Sequence, residues 1–139
     1  MASTFNLTNY AANAVASLTW NVAGFLPAAT LTIYAANQPA SASIAATAAN
    51  TVLATFTFPA AASNTLGGAG TVTIGNITDT TWQASGTATW GRVTNGGNTL
   101  FDGSVDVSAN SPDIVINVNP VTSGAVAHVV ASPTYTVTQ

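Results

Sequence analysis

Six side chains provide almost all of the acid–base and metal-binding chemistry available to this chain of 139 residues. They are one arginine, one histidine and four aspartates: Asp79, Arg92, Asp102, Asp106, Asp113 and His128. A serine nucleophile would need the histidine, an orienting acid and commonly a G-x-S-x-G turn, which the sequence lacks. Zinc would need further His or Cys ligands, and the chain has no second histidine and no cysteine. We therefore expect a protein that is not an enzyme, without catalytic residues, metal ligands or cofactors.

Arg92 is the only cation of the chain, and its position predicts a structural ion pair. It has the same strand parity as Trp90, so both side chains should lie on one face of a strand. A turn centred on Gly96-Gly97 would place position 92 opposite position 101, which brings Asp102 within diagonal reach. Because a buried guanidinium needs a carboxylate, we expect an Arg92–Asp102 pair. An exposed arginine and a contact with a partner protein are the alternatives.

The remaining ionisable residues have simpler expected roles. Asp102 and Asp106 are separated by about 13 Å along a predicted strand, too far to share a metal ion unless the strand bends. Asp113 could complete a calcium site with them, because Ca²⁺ accepts carboxylate and carbonyl oxygens in loose geometry. Solvated aspartates are the simpler interpretation. His128 shares its strand parity with two valines, so it should lie either inside the fold or at an interface, and a buried, neutral imidazole is the simpler interpretation.

Trp82 is the most informative aromatic residue because it lies in a polar stretch, Thr78-Asp79-Thr80-Thr81-Trp82-Gln83. A rigid aromatic side chain in polar surroundings is either a lid on the core or the anchor of an interface. The sequence leaves these two alternatives open. We regard Trp82, Tyr34 and Phe101 as possible interface residues.

The composition favours a place in an assembly over existence as a free monomer. The chain has 27 alanines and 23 threonines, no Lys or Glu, and a net charge of −3. One arginine cannot form the basic patch that nucleic acid requires, and no stretch is apolar enough to span a membrane. The first residues do not resemble a signal peptide. We expect partners that are protein surfaces, including copies of this chain, and neither nucleic acid nor membrane.

Apolar spacing predicts one short helix followed by strands. The helix is expected over Tyr10–Leu18, where large side chains recur with helical period. Period-two alternation then predicts about eight strands, at 30–34, 52–58, 72–77, 84–93, 99–107, 114–118, 126–130 and 134–137. Residues 35–51 should form a long loop, and Thr94-Asn95-Gly96-Gly97-Asn98 is typical of a hairpin turn.

These elements predict an all-β fold, an antiparallel β-sandwich or jelly roll with one short N-terminal helix. The chain is long enough for one domain. Residues 1–29 would form an N-terminal arm with the helix, and residues 30–139 would form the β-sandwich.

Two stretches of the chain carry the motifs of a known family. The first is Leu31-Thr32-Ile33-Tyr34, followed by Gln38-Pro39-Ala40 and Leu53-Ala54-Thr55-Phe56-Thr57-Phe58. The second is Ser85-Gly86-Thr87-Ala88-Thr89-Trp90 with Arg92, followed by Leu100-Phe101-Asp102-Gly103-Ser104-Val105. In order and spacing, most of residues 30–137 resembles small β-sandwich proteins of tailed-phage virions, of the capsid cement or head decoration type. Two features depart from that pattern, because Ala35-Ala36 replaces a glycine and the hairpin turn is uncharged.

The resemblance implies a structural virion protein that binds and stabilises the capsid exterior. Its partners would be the major capsid protein and copies of itself. It would be made in the cytoplasm of the host bacterium and located on the exterior of the phage head. The alternative is a carbohydrate- or receptor-binding module on the phage tail or head surface, for which Trp82 beside Asp79 is the candidate cluster.

Overall fold

The computed structural model describes residues 29–58, 76–95 and 97–130, together with the backbone of three short strands at 65–66, 71–73 and 134–136. The helix expected over Tyr10–Leu18, and the arm that contains it, lie outside the described residues. Within the described ranges the chain forms strands, loops and one 3-10 helix, Ser108–Asn110, and no α-helix. The all-β character predicted from the sequence is confirmed for this part of the chain.

The described residues contain ten strands. Their bounds are β1 Thr30–Ala35, β2 Val52–Thr57, β3 Thr65–Leu66, β4 Thr71–Thr73, β5 Thr80–Thr81, β6 Ala88–Asn95, β7 Asn98–Asp106, β8 Ile114–Val115, β9 Val126–Ala127 and β10 Thr134–Thr136. No strand forms within residues 36–51, as expected for the long loop. β3 and β5 were not predicted, because two residues are too few to show an alternating pattern.

Five strands form the main sheet in the order β2-β1-β6-β7-β8. Neighbours in this sheet are antiparallel except β7 and β8, which run parallel with Val105 opposite Ile114. The expectation of a purely antiparallel arrangement was therefore wrong at β8. The chain passes through the 3-10 helix after β7, and this short connection brings β8 alongside in the same direction. Two smaller sheets have the orders β10-β4-β3 and β5-β9.

The core lies against one face of the main sheet, because apolar residues alternate with threonines along β1. Leu31 and Ile33 are 1% and 0% exposed, whereas the intervening Thr32 is partly exposed. Gly91 on β6 allows this close packing, since a Cβ atom there would lie 2.9 Å from Leu31 Cδ1 and 3.1 Å from Ile114 Cδ1. The absence of a side chain at Gly91 therefore lets Leu31 and Ile114 pack closely over the centre of the sheet.

The hairpin between β6 and β7 forms at the predicted turn, and Gly97 adopts a φ of 85° that favours glycine. The predicted register, however, was wrong by one residue. Thr94 pairs with Thr99, but Val93 pairs with Phe101, so Leu100 is an extra residue in β7. This bulge places Asp102 directly opposite Arg92.

Candidate functional site

Arg92 and Asp102 form a two-bonded ion pair inside the fold. Nε of Arg92 donates to Oδ1 of Asp102 and Nη2 donates to Oδ2, both at 2.7 Å. The two side chains are 6% and 2% exposed, and the guanidinium carbon lies 5.2 Å from the centre of the Trp90 ring. The hydrogen bonds that Arg92 donates to the Asp102 carboxylate raise the pKa of Arg92. Arg92, the sole cation, is therefore paired within the fold and is inaccessible to a ligand.

Tyr34 extends this contact into a row across the sheet. Its ring stacks on Trp90 with centroids 4.4 Å apart and an angle of 16° between the planes. Tyr34 pairs with Trp90 across β1 and β6, and Arg92 pairs with Asp102 across β6 and β7. By strand parity these four residues, named here the Tyr–Trp–Arg–Asp row, lie on the face opposite the core. Of the expected interface residues, Tyr34 remains partly exposed.

The side chains of Trp82 and Phe101, two of the expected interface residues, pack against the core. Trp82 is 1% exposed and meets Phe56 edge-on, with the ring centroids 6.4 Å apart. Its Nε1 is buried and has no hydrogen-bond partner among the described residues. Phe101 is partly buried and packs against the core. Trp82 thus packs as a lid on the core, with almost none of its surface accessible in the described structure.

Asp106 is the centre of a second internal network. Its Oδ1 accepts hydrogen bonds from Nδ2 of Asn119 at 2.9 Å and from the backbone N–H of Val107 at 2.8 Å. Its Oδ2 accepts a hydrogen bond from Nδ2 of Asn110 at 2.7 Å. These bonds, that of Asn119 first, lower the pKa of Asp106. Residues of this network line an adjacent cleft of about 340 Å³. Both carboxylate oxygens of Asp106 already accept hydrogen bonds from the protein.

Asp113 has a separate structural role beside β7. Its Oδ2 accepts hydrogen bonds from the backbone N–H and the hydroxyl of Ser104, both at 2.8 Å, and its own N–H donates to that hydroxyl at 3.0 Å. Asp102, Asp106 and Asp113 therefore each bind different neighbours. Within the ranges that the structure describes, no three His or Asp side chains gather closely enough to hold a metal ion.

His128 contacts Asp79, a pair that sequence reasoning did not anticipate. Nδ1 of His128 lies 2.5 Å from Oδ1 of Asp79, and the side chains are 44% and 50% exposed. The expectation of a buried imidazole was wrong because Ala127 and Val129 are the inward residues of this segment, with exposures of 0% and 6%. His128 and its valine neighbours face outward. The strand expected over residues 114–118 ends earlier, at Val115, and Val118 beyond it is 42% exposed.

Pairing of β5 with β9 explains how these two residues meet. Thr80 is opposite Ala127, so the preceding Asp79 is level with the following His128. No short-range motif connects residues 49 positions apart in sequence. The pair lies in a cleft of about 450 Å³, here named the Asp79–His128 cleft. Its lining residues are Asn76, Ile77, Thr78, Asp79, His128, Val129 and Val130.

Comparison of the chain with models of protein families, with curated protein sequences and with solved structures found no match. The described residues include no helix with the length and hydrophobicity needed to span a bilayer.

Proposed function

We propose that this chain is a non-enzymatic structural protein that acts by assembly, as a cement or decoration protein on the exterior of a tailed-phage head. The observation that supports this is the use of its ionisable groups. Arg92, Asp102, Asp106 and Asp113 are bound to neighbours within the fold, and Asp79 and His128 contact each other. The folded chain therefore offers no accessible cation and only a few carboxylates with which to select an ionic substrate.

A surface with few charges suits dense packing of identical subunits. Charges on neighbouring copies interact strongly within a Debye length of about 8 Å, so subunits that carry few charges avoid mutual repulsion. Contacts would instead use backbone groups, hydroxyls and apolar side chains. The described surface offers such side chains, since Val126, Ile44 and Val130 are 60%, 50% and 49% exposed.

The location on a virion is supported by the family resemblance, and the two motifs that carry this resemblance contact each other in the fold. Tyr34 comes from the first motif, whereas Trp90, Arg92 and Asp102 come from the second. These residues contact one another in the Tyr–Trp–Arg–Asp row. The two motifs therefore form one structural unit of the sheet. This contact is a physical reason for both motifs to occur in the same chain.

We further propose that the main sheet is one layer of a β-sandwich. Trp82, next to β5, packs on Phe56 of β2, so the segment that contains β5 and β9 covers part of the core face. The partners in this proposal are the major capsid protein and further copies of the chain, and the protein would be made in the cytoplasm of the host bacterium.

The test is to purify tailed particles from the source of the chain and to locate the protein by electron cryo-microscopy and gel densitometry. We expect several hundred copies on the head, in keeping with a shell-coating role, and occupancy that is equal at low and high ionic strength because few charges are available. A tail location in a handful of copies, absence from particles, or a steep loss of occupancy in high salt would contradict the proposal.

A further inference from the structure

We propose that the Asp79–His128 cleft binds a neutral carbohydrate and takes one monosaccharide unit through its hydroxyl groups. Binding at this site does not depend on assembly, because a sugar can bind to the isolated chain. The volume of about 450 Å³ lies within the range of small-ligand pockets, roughly 300–1,000 Å³. Three properties of the cleft support the assignment: an oriented imidazole, unused polar groups and apolar walls.

The imidazole of His128 is held in one orientation by Asp79. Because the Oδ1 atom of Asp79 accepts a hydrogen bond, Nδ1 of His128 carries the proton in this 2.5 Å contact. In the neutral ring, Nε2 is then a hydrogen-bond acceptor. Both side chains are about half exposed, and Nε2 of His128 and Oδ2 of Asp79 are not the atoms that join the two residues, so each can accept a hydrogen bond from a ligand.

Asn76 and Thr78 add polar groups that bind no other residue in the described part of the chain. Both residues are exposed and line the cleft, and neither side chain makes a hydrogen bond to another described residue. The cleft beside Asp106 differs in this respect, since its carboxylate is occupied by Asn119 and Asn110. A free amide, a free hydroxyl and two acceptors together match a ligand whose groups both donate and accept.

The charge of the cleft selects among such ligands. Asp79 disfavours an anion, and the chain has no free Lys or Arg to hold a phosphate or carboxylate, because Arg92 is buried against Asp102. Zinc commonly takes at least three protein ligands, and His128 supplies a single nitrogen here. A neutral ligand rich in hydroxyl groups fits the donor and acceptor set best.

Apolar side chains form the remaining walls. Ile77 and Val129 are 7% and 6% exposed and form the buried side of the cleft, and Val130 is 49% exposed at its side. A pyranose ring has an apolar C–H face next to its hydroxyl edge. The combination of polar and apolar lining is therefore complementary to one sugar ring.

The test is an NMR titration of the ¹⁵N-labelled full chain with the methyl glycosides of mannose, galactose and N-acetylglucosamine, each added separately. We expect saturable shifts of the Asn76, Thr78 and His128 amides with at least one sugar, with a Kd on the order of 1 mM. Loss of one hydrogen bond should weaken binding about 2- to 12-fold in Thr78→Ala and in His128→Gln. Thr122→Ala removes a hydroxyl from an exposed threonine that does not line the cleft, and it should leave the Kd unchanged.

The spectra of the variants also show whether each of them is folded, which separates lost binding from lost structure. The proposal is overturned if none of the three sugars produces saturable shifts, or if folded Thr78→Ala and His128→Gln bind as tightly as Thr122→Ala. A response of His128 to Zn²⁺ alone, without any response to sugar, would instead identify a metal site. None of these outcomes bears on the presence of the protein in virions, so the two proposals fail independently.

Discussion

Replacing Asp102 with asparagine should destabilise the fold by about 3–5 kcal/mol, the usual cost of breaking a buried ion pair from one side. The geometry supports a loss of the size found for buried pairs and not for exposed ones. The carboxylate is 2% exposed, and both of its oxygens accept hydrogen bonds of 2.7 Å from Arg92. In Asp102→Asn an amide N–H₂ would face a guanidinium N–H. The positive charge would remain buried without its counter-charge.

Trypsin provides a direct assay, because Arg92 is the only residue after which it can cut. Arg92 is 5% exposed and lies in β6, which is paired with β1 on one side and β7 on the other. Cleavage thus requires the central sheet to open. When opening and closing are fast, the cleavage rate follows the population of the open form, so a loss of about 3–5 kcal/mol should accelerate cleavage roughly 150- to 5,000-fold.

Asp79→Asn is the matched control, since it makes the same chemical change in a pair that is half exposed. Exposed pairs contribute about 0–1 kcal/mol, so cleavage should accelerate less than about 6-fold. The double variant Arg92→Met/Asp102→Leu removes both buried charges. Its free energy of unfolding, measured with denaturant, should therefore fall by less than that of Asp102→Asn. Equal cleavage rates for wild type and Asp102→Asn would refute the reasoning, as would a double variant less stable than the single one.

Three further predictions concern packing and pH. Gly91→Ala should lower the free energy of unfolding by about 1–3 kcal/mol, because the added Cβ would lie 2.9 Å from a Leu31 methyl group. Trp82→Ala should cost about 3–5 kcal/mol in denaturant unfolding, and Trp82→Phe clearly less, because the indole N–H has no partner among the described residues. The lowered pKa of Asp106 should give wild type a stability advantage over Asp106→Asn that is present above the unfolded pKa of 3.8 and is lost as pH falls through the lower folded value.

Each of these predictions has an outcome that contradicts it. Gly91→Ala with unchanged unfolding would mean that the neighbouring side chains move aside freely. Equal losses in Trp82→Phe and Trp82→Ala would show that the indole nitrogen matters more than the ring contact with Phe56. A constant difference between wild type and Asp106→Asn across the acid range would indicate that the Asn119 bond does not favour the ionised carboxylate.

Short-range patterns in the sequence predicted the elements that depend on neighbouring residues. The hairpin at Gly97 and the loop over residues 36–51 follow from turn chemistry and from the scarcity of large side chains. The register of the hairpin did not follow, because the bulge at Leu100 depends on which residues of β7 fit the core. Arg92 still reaches Asp102, since the extra residue turns an expected diagonal neighbour into a direct one.

Long-range pairing explains what the sequence could not show. The contact of Asp79 with His128 depends on β5 meeting β9, and β5 is only two residues long. Parity correctly grouped His128 with its valine neighbours, but parity does not say which side of a strand faces the core. Trp82 illustrates the converse, since polar neighbours in sequence did not prevent its side chain from closing over Phe56.

The side chain of Asn119 takes the place of a peptide group. It accepts from the N–H and donates to the carbonyl of Ala88, both at 2.9 Å, and so continues the ladder of β6 as a strand residue would. Conversion of this amide to a carboxylate during ageing would remove the donor and set a second negative charge beside Asp106. Spontaneous deamidation commonly begins with attack by the backbone nitrogen of the next residue, which here is Pro120 and has no N–H. The order of Asn119 and Pro120 thus protects the hydrogen-bonded contact between Asn119 and Ala88 against slow chemical damage.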